Sequence, residues 1–170
     1  MAGMRDVRIE KVTLNIGCGK DQSRLDKGIE LLKSIAGVSP VKTYTQKRIQ
    51  EWGLRPGLPI GCKATLRKRA ARELLKRLLD AREFRLQEGQ FDGNGNISFG
   101  IHEYIDIPGV KYDPKIGIMG LQVCVTLERP GFRIKRRVIR NARIPRRQRI
   151  SRQEAVDFMA REYDVKMGEE

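Results

Sequence analysis

Residues Leu121–Leu127 read LQVCVTL, the cleanest two-residue alternation in the chain. Leu121, Val123, Val125 and Leu127 fall on one side, and Gln122, Cys124 and Thr126 on the other. A period of two marks a strand with one buried face and one open face. The pattern recurs in Val7–Gly17, where Val12, Leu14 and Ile16 alternate with Thr13 and Asn15. It recurs again in Ile60–Arg67, where Cys62, Ala64 and Leu66 oppose Lys63, Thr65 and Arg67. Three half-buried strands need an apolar layer over their inner faces.

Helical periods between the strands supply that layer. Ser23–Ala36 carries Leu25, Ile29, Leu32, Ile35 and Ala36 on one stripe and stops at Gly37. Lys68–Ala81 places Ala71, Leu74, Leu75 and Leu78 on one face. A last helix opens at Ser151, with Glu154 three residues on forming a capping box; its stripe reads Val156, Met159, Ala160, Tyr163. Val41–Tyr44 is a short extended piece. Asp92-Gly93-Asn94-Gly95-Asn96, inside Phe91–Ile97, is a strong turn signal. No internal repeat is present. The order predicts an α+β fold, an antiparallel β-sheet with helices packed on one face and a basic extension before a C-terminal helix. In domain terms, residues 1–132 are expected to form an α+β core with an inserted Gly/Pro-rich loop at 51–61. Residues 133–152 are a basic segment, and 153–170 a C-terminal helix packed on the same domain.

The uncovered sheet face then presents Thr13, Asn15, Lys63, Thr65, Gln122 and Thr126. Exposed threonine is ordinary on a solvated sheet. The charge beside it changes the reading. Arg133–Arg152, RIKRRVIRNARIPRRQRISR, holds ten Arg or Lys and no acid, so it supplies most of the chain's net +14. Nine of the ten are Arg, whose planar fork suits phosphate oxygens. Such a block repels itself and is expected to settle only on a polyanion. Ten neutralised phosphates would give a log–log salt slope of about −7 to −9. A second cluster, RKRAAR at Arg67–Arg72, stands where a strand becomes a helix, a place that favours anions. The phosphate candidates are therefore Arg67, Lys68, Arg69, Arg133, Lys135, Arg136, Arg137, Arg140, Arg143, Arg146, Arg147 and Arg149. Aromatics make up only 6% of the chain, so base stacking is not expected as the main mode of binding.

Tests for chemistry fail. Gly17-Cys18-Gly19-Lys20 has Leu14 where a phosphate-binding loop needs its first Gly, and Asp21 where it needs Ser or Thr. Gln22 occupies the third glycine of a dinucleotide fingerprint. Cys18, Cys62 and Cys124 are far apart, with neither zinc spacing nor a disulfide framework. His102, the only histidine, lies in no nucleophile motif. No metal or other cofactor and no catalysis are expected. The beginning, MAGMRDVRIE, has no apolar signal core, and no stretch approaches a bilayer span. A cytoplasmic protein without membrane contact is expected.

Three segments carry a resemblance: IEKVTLNIGCG (Ile9–Gly19), SIAGVSPVKTYTQKRIQEWGLRPGLPIGCKATLR (Ser34–Arg67) and FDGNGNISFGIHEYIDIPGVKYDPKIGIMGLQVCVTL (Phe91–Leu127). Over nearly its full length the chain resembles the universal large-subunit ribosomal protein five family, the 5S-RNA-binding proteins of the central protuberance. GFRIKRR and RISRQEAVDFMAREYDV resemble its archaeal and eukaryotic branch, whose eukaryotic member is large-subunit protein eleven. The resemblance implies a ribosome-bound structural protein whose sheet face recognises 5S rRNA. Asn15, Thr65 and Trp52 are carried over by position, the last standing where the bacterial pattern has Phe. Thr13 and Lys63 join them on the same face. Val38 replaces a bacterial Gln, so the hydrogen bond of that Gln is not carried over. Trp52–Pro59 resembles the loop that approaches P-site tRNA, which assigns Leu54, Arg55, Pro56 and Gly57 to that contact. Large-subunit rRNA, other central-protuberance proteins and small-subunit protein thirteen, across an intersubunit bridge, complete the implied partners. The Arg133–Arg152 stretch departs from the shorter, far less basic bacterial pattern, and its partner is rRNA or the bridge.

Two competing classes remain. A DNA-compacting protein shares the charge but has no need of Asn15 or Thr65. An RNA-processing enzyme would have to build its centre on His102 with Glu103 and Asp106.

Overall fold

The computed structural model describes residues 3–168; residues 1–2 and 169–170, which fall within the expected core and C-terminal segments, lie outside the described residues. Strand β1 (Arg8–Gly17) is followed by α1 (Gln22–Ala36), β2 (Val41–Tyr44), β3 (Pro59–Arg67) and α2 (Lys68–Asp80). Then come β4 (Arg85–Gln87), β5 (Asn96–Ile101), β6 (Leu121–Glu128), α3 (Arg152–Tyr163) and β7 (Lys166–Gly168). Five strands form one sheet in the order β2-β3-β1-β6-β5, with each neighbouring pair antiparallel. The inward set is the one expected from alternation. Val12, Leu14 and Ile16 of β1, Cys62, Ala64 and Leu66 of β3, and Val123, Val125 and Leu127 of β6 are all buried. They join Leu25, Leu31, Leu32 and Ile35 of α1 and Ala71, Leu74, Leu75 and Leu78 of α2 in a single core.

Local chemistry sets the boundaries. Asp21 caps α1 by accepting from Ser23 N at 2.9 Å and Arg24 N at 3.3 Å, so the helix starts one residue before the apolar period suggests. Gly37, at φ 66°, closes it. Ser151 and Glu154 form the expected capping box at α3. The buried residues of α3 are Ala155, Phe158 and Met159, with Val156 and Tyr163 half-buried; Ala160, placed on the stripe by periodicity, faces solvent. The helix also ends at Tyr163. Beyond it the chain returns as β7 and pairs in parallel with β4, a two-stranded unit that no sequence pattern announces.

At the Asp92–Asn96 turn the Asp92 carboxylate accepts from Asn94 N at 2.8 Å, Asn96 N at 2.7 Å and Asn96 Nδ2 at 2.7 Å. Gly95 in this turn has φ +75°, and a Cβ there would lie 2.8 Å from Ile150. Ile150 is buried against it and fixes the far end of the basic segment. Phe132 is buried at the near end and Ile144 half-buried between. The segment has no regular structure beyond single 3-10 turns at Phe132–Lys135 and Arg146–Gln148. Three apolar side chains and two arginines, Arg136 and Arg152, hold it to the body while most of its charges point to solvent.

Candidate nucleic-acid interface

The register of the sheet arranges its open face as a grid. One row runs Thr65–Thr13–Cys124–Ser98, the next Lys63–Asn15–Gln122–Gly100, and a third Arg67–Lys11–Thr126–Asn96. Four of the five residues expected to meet 5S rRNA, Thr13, Asn15, Lys63 and Thr65, are thus adjacent. Thr13 and Thr65 hydroxyls stand 3.5 Å apart, and Asn15 Nδ2 donates to Gln122 Oε1 at 3.3 Å. Each group keeps free hydrogen-bonding capacity, since a hydroxyl or amide offers several sites. Gln122 is expected on the face from alternation, but not among the RNA contacts. It borders a shallow cavity of about 260 Å³ with Asn15 and His102. His102 therefore lies at the rim of the same face, a placement that its isolation in sequence conceals.

Trp52 stands apart from the grid, at the tip of a hairpin extension of β2 and β3. Ile49 and Leu54 pair through reciprocal backbone hydrogen bonds of 3.1 and 2.9 Å, and Thr45 N donates to Leu58 O at 2.9 Å. Trp52 is 65% exposed. Leu54 is only 8% exposed. Leu54 is thus the one buried member of the set expected to contact tRNA, next to its backbone pairing with Ile49. Arg55, Pro56 and Gly57 are exposed and form a tight turn, with Leu58 N donating to Arg55 O at 3.1 Å. Pro in the second position and Gly57 at φ +83° in the third are the requirements of a type II turn. The expected loop at 51–61 ends sooner than its composition implies, because Pro59–Gly61 already belong to β3.

The cations divide into paired and unpaired. Arg69 pairs with Glu73 at 2.6 Å, and Arg67 with Glu10 at 3.1 Å. Arg136 is bound to both Glu10 and Glu128. Arg67, Arg69 and Arg136, three of the expected phosphate ligands, thus share their guanidinium groups with carboxylates while their side chains stay 52%, 91% and 40% exposed. Arg152 reaches Glu88. Among the described residues Lys68, Arg133, Lys135, Arg137, Arg140, Arg143, Arg146, Arg147 and Arg149 have no carboxylate partner; the last eight belong to the basic segment. Nothing in the segment's composition signals the pairing, because its partners are in β1 and β6.

No group of three or more His, Cys, Asp or Glu suited to a metal occurs among the described residues. No helix among them is long and apolar enough to cross a membrane. Burial pushes the thiols of Cys18 and Cys62 up, Cys62 to about 11, whereas Cys124 is exposed on the open face.

Two family models account for most of the chain. Residues 3–55 match the model for ribosomal protein L5, and residues 59–164 match the model for the C-terminus of the same ribosomal family. The large ribosomal subunit protein uL5 of Sulfolobus acidocaldarius is 50% identical over 162 residues, covering 95% of this chain and 91% of the relative. That of Nanoarchaeum equitans is 48% identical over 165 residues, covering 96% and 97%. That of Methanoculleus marisnigri is 43% identical over 167 residues, covering 98% and 100%. With both halves of the chain matched and archaeal relatives aligned nearly end to end, the chain belongs to the uL5 family of ribosomal proteins.

Proposed function

We propose that this protein is a structural, non-enzymatic component of the large ribosomal subunit that binds 5S rRNA through its open sheet face and neighbouring rRNA phosphates through residues 133–149. The observation that carries this reading is one contiguous layout. Three rows of hydrogen-bonding side chains lie on a pleated face, and a segment with eight unpaired cations is fastened to the same sheet. Hydroxyls and amides at strand spacing suit the 2′-hydroxyls and base edges of an irregular RNA, while cations hold its backbone.

The Arg55–Gly57 turn is the P-site tRNA contact in this reading. Its conformation is fixed before contact, which limits the entropy lost on binding. Small-subunit protein thirteen and other central-protuberance proteins are the proposed protein partners. One phosphate neutralised by each of the eight segment cations that lack a carboxylate partner among the described residues would give a salt slope of about −6 to −7.

A titration of the full chain against 5S rRNA, with a size-matched unrelated RNA and duplex DNA as competitors at several salt concentrations, tests the reading. Saturable 5S binding that survives both competitors is expected. Equal competition by duplex DNA would instead favour a DNA-compacting polycation.

A further inference from the structure

Glu10 and Glu128 hold three arginines from three different parts of the chain. Glu10 Oε1 accepts from Arg67 Nη1 of β3 at 3.1 Å and from Arg136 Nη1. Glu128 Oε1 accepts from Arg8 at 2.8 and 3.2 Å, and its Oε2 accepts from Arg136 Nη2. The result is a line, Arg67–Glu10–Arg136–Glu128–Arg8, across β3, β1, the basic segment and β6. The two glutamate side chains are 7% and 10% exposed, so they are buried acids in a strongly basic neighbourhood. A bulge between Ile9 and Lys11 makes this possible. It keeps Ile9 opposite Leu127 on the inner face and leaves Glu10 as the extra residue, free to turn to the arginines.

We propose that Glu10 and Glu128 are positioning residues for RNA binding. By gripping Arg136 they set the path of residues 133–149 at the end of the open face, so that both surfaces meet one RNA. The inference rests on the RNA-binding reading above. Three observations support it. Arg67 belongs to the Arg67–Lys11–Thr126 row, so the grip is continuous with the grid. Beyond Arg136 the chain closes on itself, with Ala142 N donating to Ile134 O at 3.2 Å and Asn141 Nδ2 to Lys135 O at 3.1 Å, so the grip orients a formed loop. Arg136 reaches the two carboxylates with separate nitrogens, Nη1 and Nη2, of one rigid planar fork, a geometry that the single nitrogen of a lysine does not reproduce.

This role makes a prediction opposite to that of simple charge. Glu10→Gln with Glu128→Gln removes two negative charges, which by electrostatics alone tightens binding to any RNA. Positioning predicts that preference for 5S rRNA over an unrelated RNA falls, by about tenfold, the loss that accompanies one charge-assisted contact. Arg136→Lys is the second variant. It keeps the net charge and leaves the Glu10–Arg67 and Glu128–Arg8 pairs, so the sheet stays folded. The same loss of preference is expected, with an unchanged salt slope and faster hydrogen exchange confined to residues 133–149 of the free protein. Undiminished preference in both variants, or unchanged exchange in Arg136→Lys, would overturn the proposal. If the unsubstituted protein showed no preference, the RNA reading itself would fail, and the exchange measurement would still decide whether the grip orders the segment.

Discussion

The open sheet face and the basic segment are built in opposite ways. The face has few charges, a fixed register and side chains already bonded to one another, as Asn15 is to Gln122. The segment has many charges and isolated points of attachment, at Phe132, Arg136, Ile144, Ile150 and Arg152. Hydrogen bonds at fixed spacing discriminate between partners but act only at contact. Cations act at a distance and supply affinity with little discrimination. In the proposed RNA-binding reading, the difference teaches that recognition and attraction are separable, and that the Glu10 and Glu128 grip is where they join.

The largest expected effect separates the two outright. Changing Arg140, Arg143, Arg146 and Arg147 to Gln should weaken binding to any RNA by about two to three orders of magnitude at moderate salt and flatten the salt slope by about 3. The exposed positions predict a change in unfolding free energy within about 0.5 kcal/mol. A large drop in melting temperature would mean that the segment is part of the folded body. Leu14→Ala is the reciprocal variant. Leu14 is fully buried, so truncation should cost about 2–5 kcal/mol of stability in a denaturant melt and leave the salt slope as it is.

How far the comparison is legible in sequence differs between the two regions. Alternation in LQVCVTL and in Val7–Gly17 identifies both faces of the sheet, because a period of two is local and survives without knowledge of neighbours. Ser151 and Glu154 mark the start of α3 for the same reason. Leu54 reads as an exposed loop residue because its burial depends on pairing with Ile49 across a hairpin. The parallel β4–β7 pair joins three-residue strands from distant parts of the chain, too short to show a period. Arg136 looks like its neighbours because its carboxylates lie in β1 and β6, far off in sequence. Local patterns carry the fold and the face, whereas long-range charge pairing, which decides which cations are free, leaves no local trace.

Smaller effects sharpen the boundary. Trp52→Ala should cost about 1–3 kcal/mol in RNA affinity if a base stacks there. At 65% exposure it should barely change the melt. A loss of stability without a loss of affinity would return Trp52 to the body. The smallest effect concerns the seam between the segment and α3. The Ser151 N–H holds the Glu154 carboxyl below its ordinary value of 4.5, burial opposes this, and Arg129 adds to the lowering. A carboxyl lowered on folding stabilises the native state above its unfolded value and loses that contribution as pH falls through the folded one. The contribution of Glu154 should therefore be intact at neutral pH and fade below about pH 4.5. Glu154→Gln should remove that part of the acid dependence in a pH series of melts. Ser151→Ala should cost about 1 kcal/mol at neutral pH.

Cys124 offers the most direct test of the claim that the open face meets RNA. It sits in the Thr65–Thr13–Cys124–Ser98 row, exposed, while Cys18 and Cys62 are buried with raised thiols and should react slowly. The measurement is the rate of Cys124 alkylation in the full chain, free and saturated with 5S rRNA, with the modified site identified by peptide mass. The account predicts strong protection by 5S rRNA and little by an unrelated RNA at equal occupancy. Cys124 reacting equally fast in the saturated complex would place the RNA elsewhere and contradict the account.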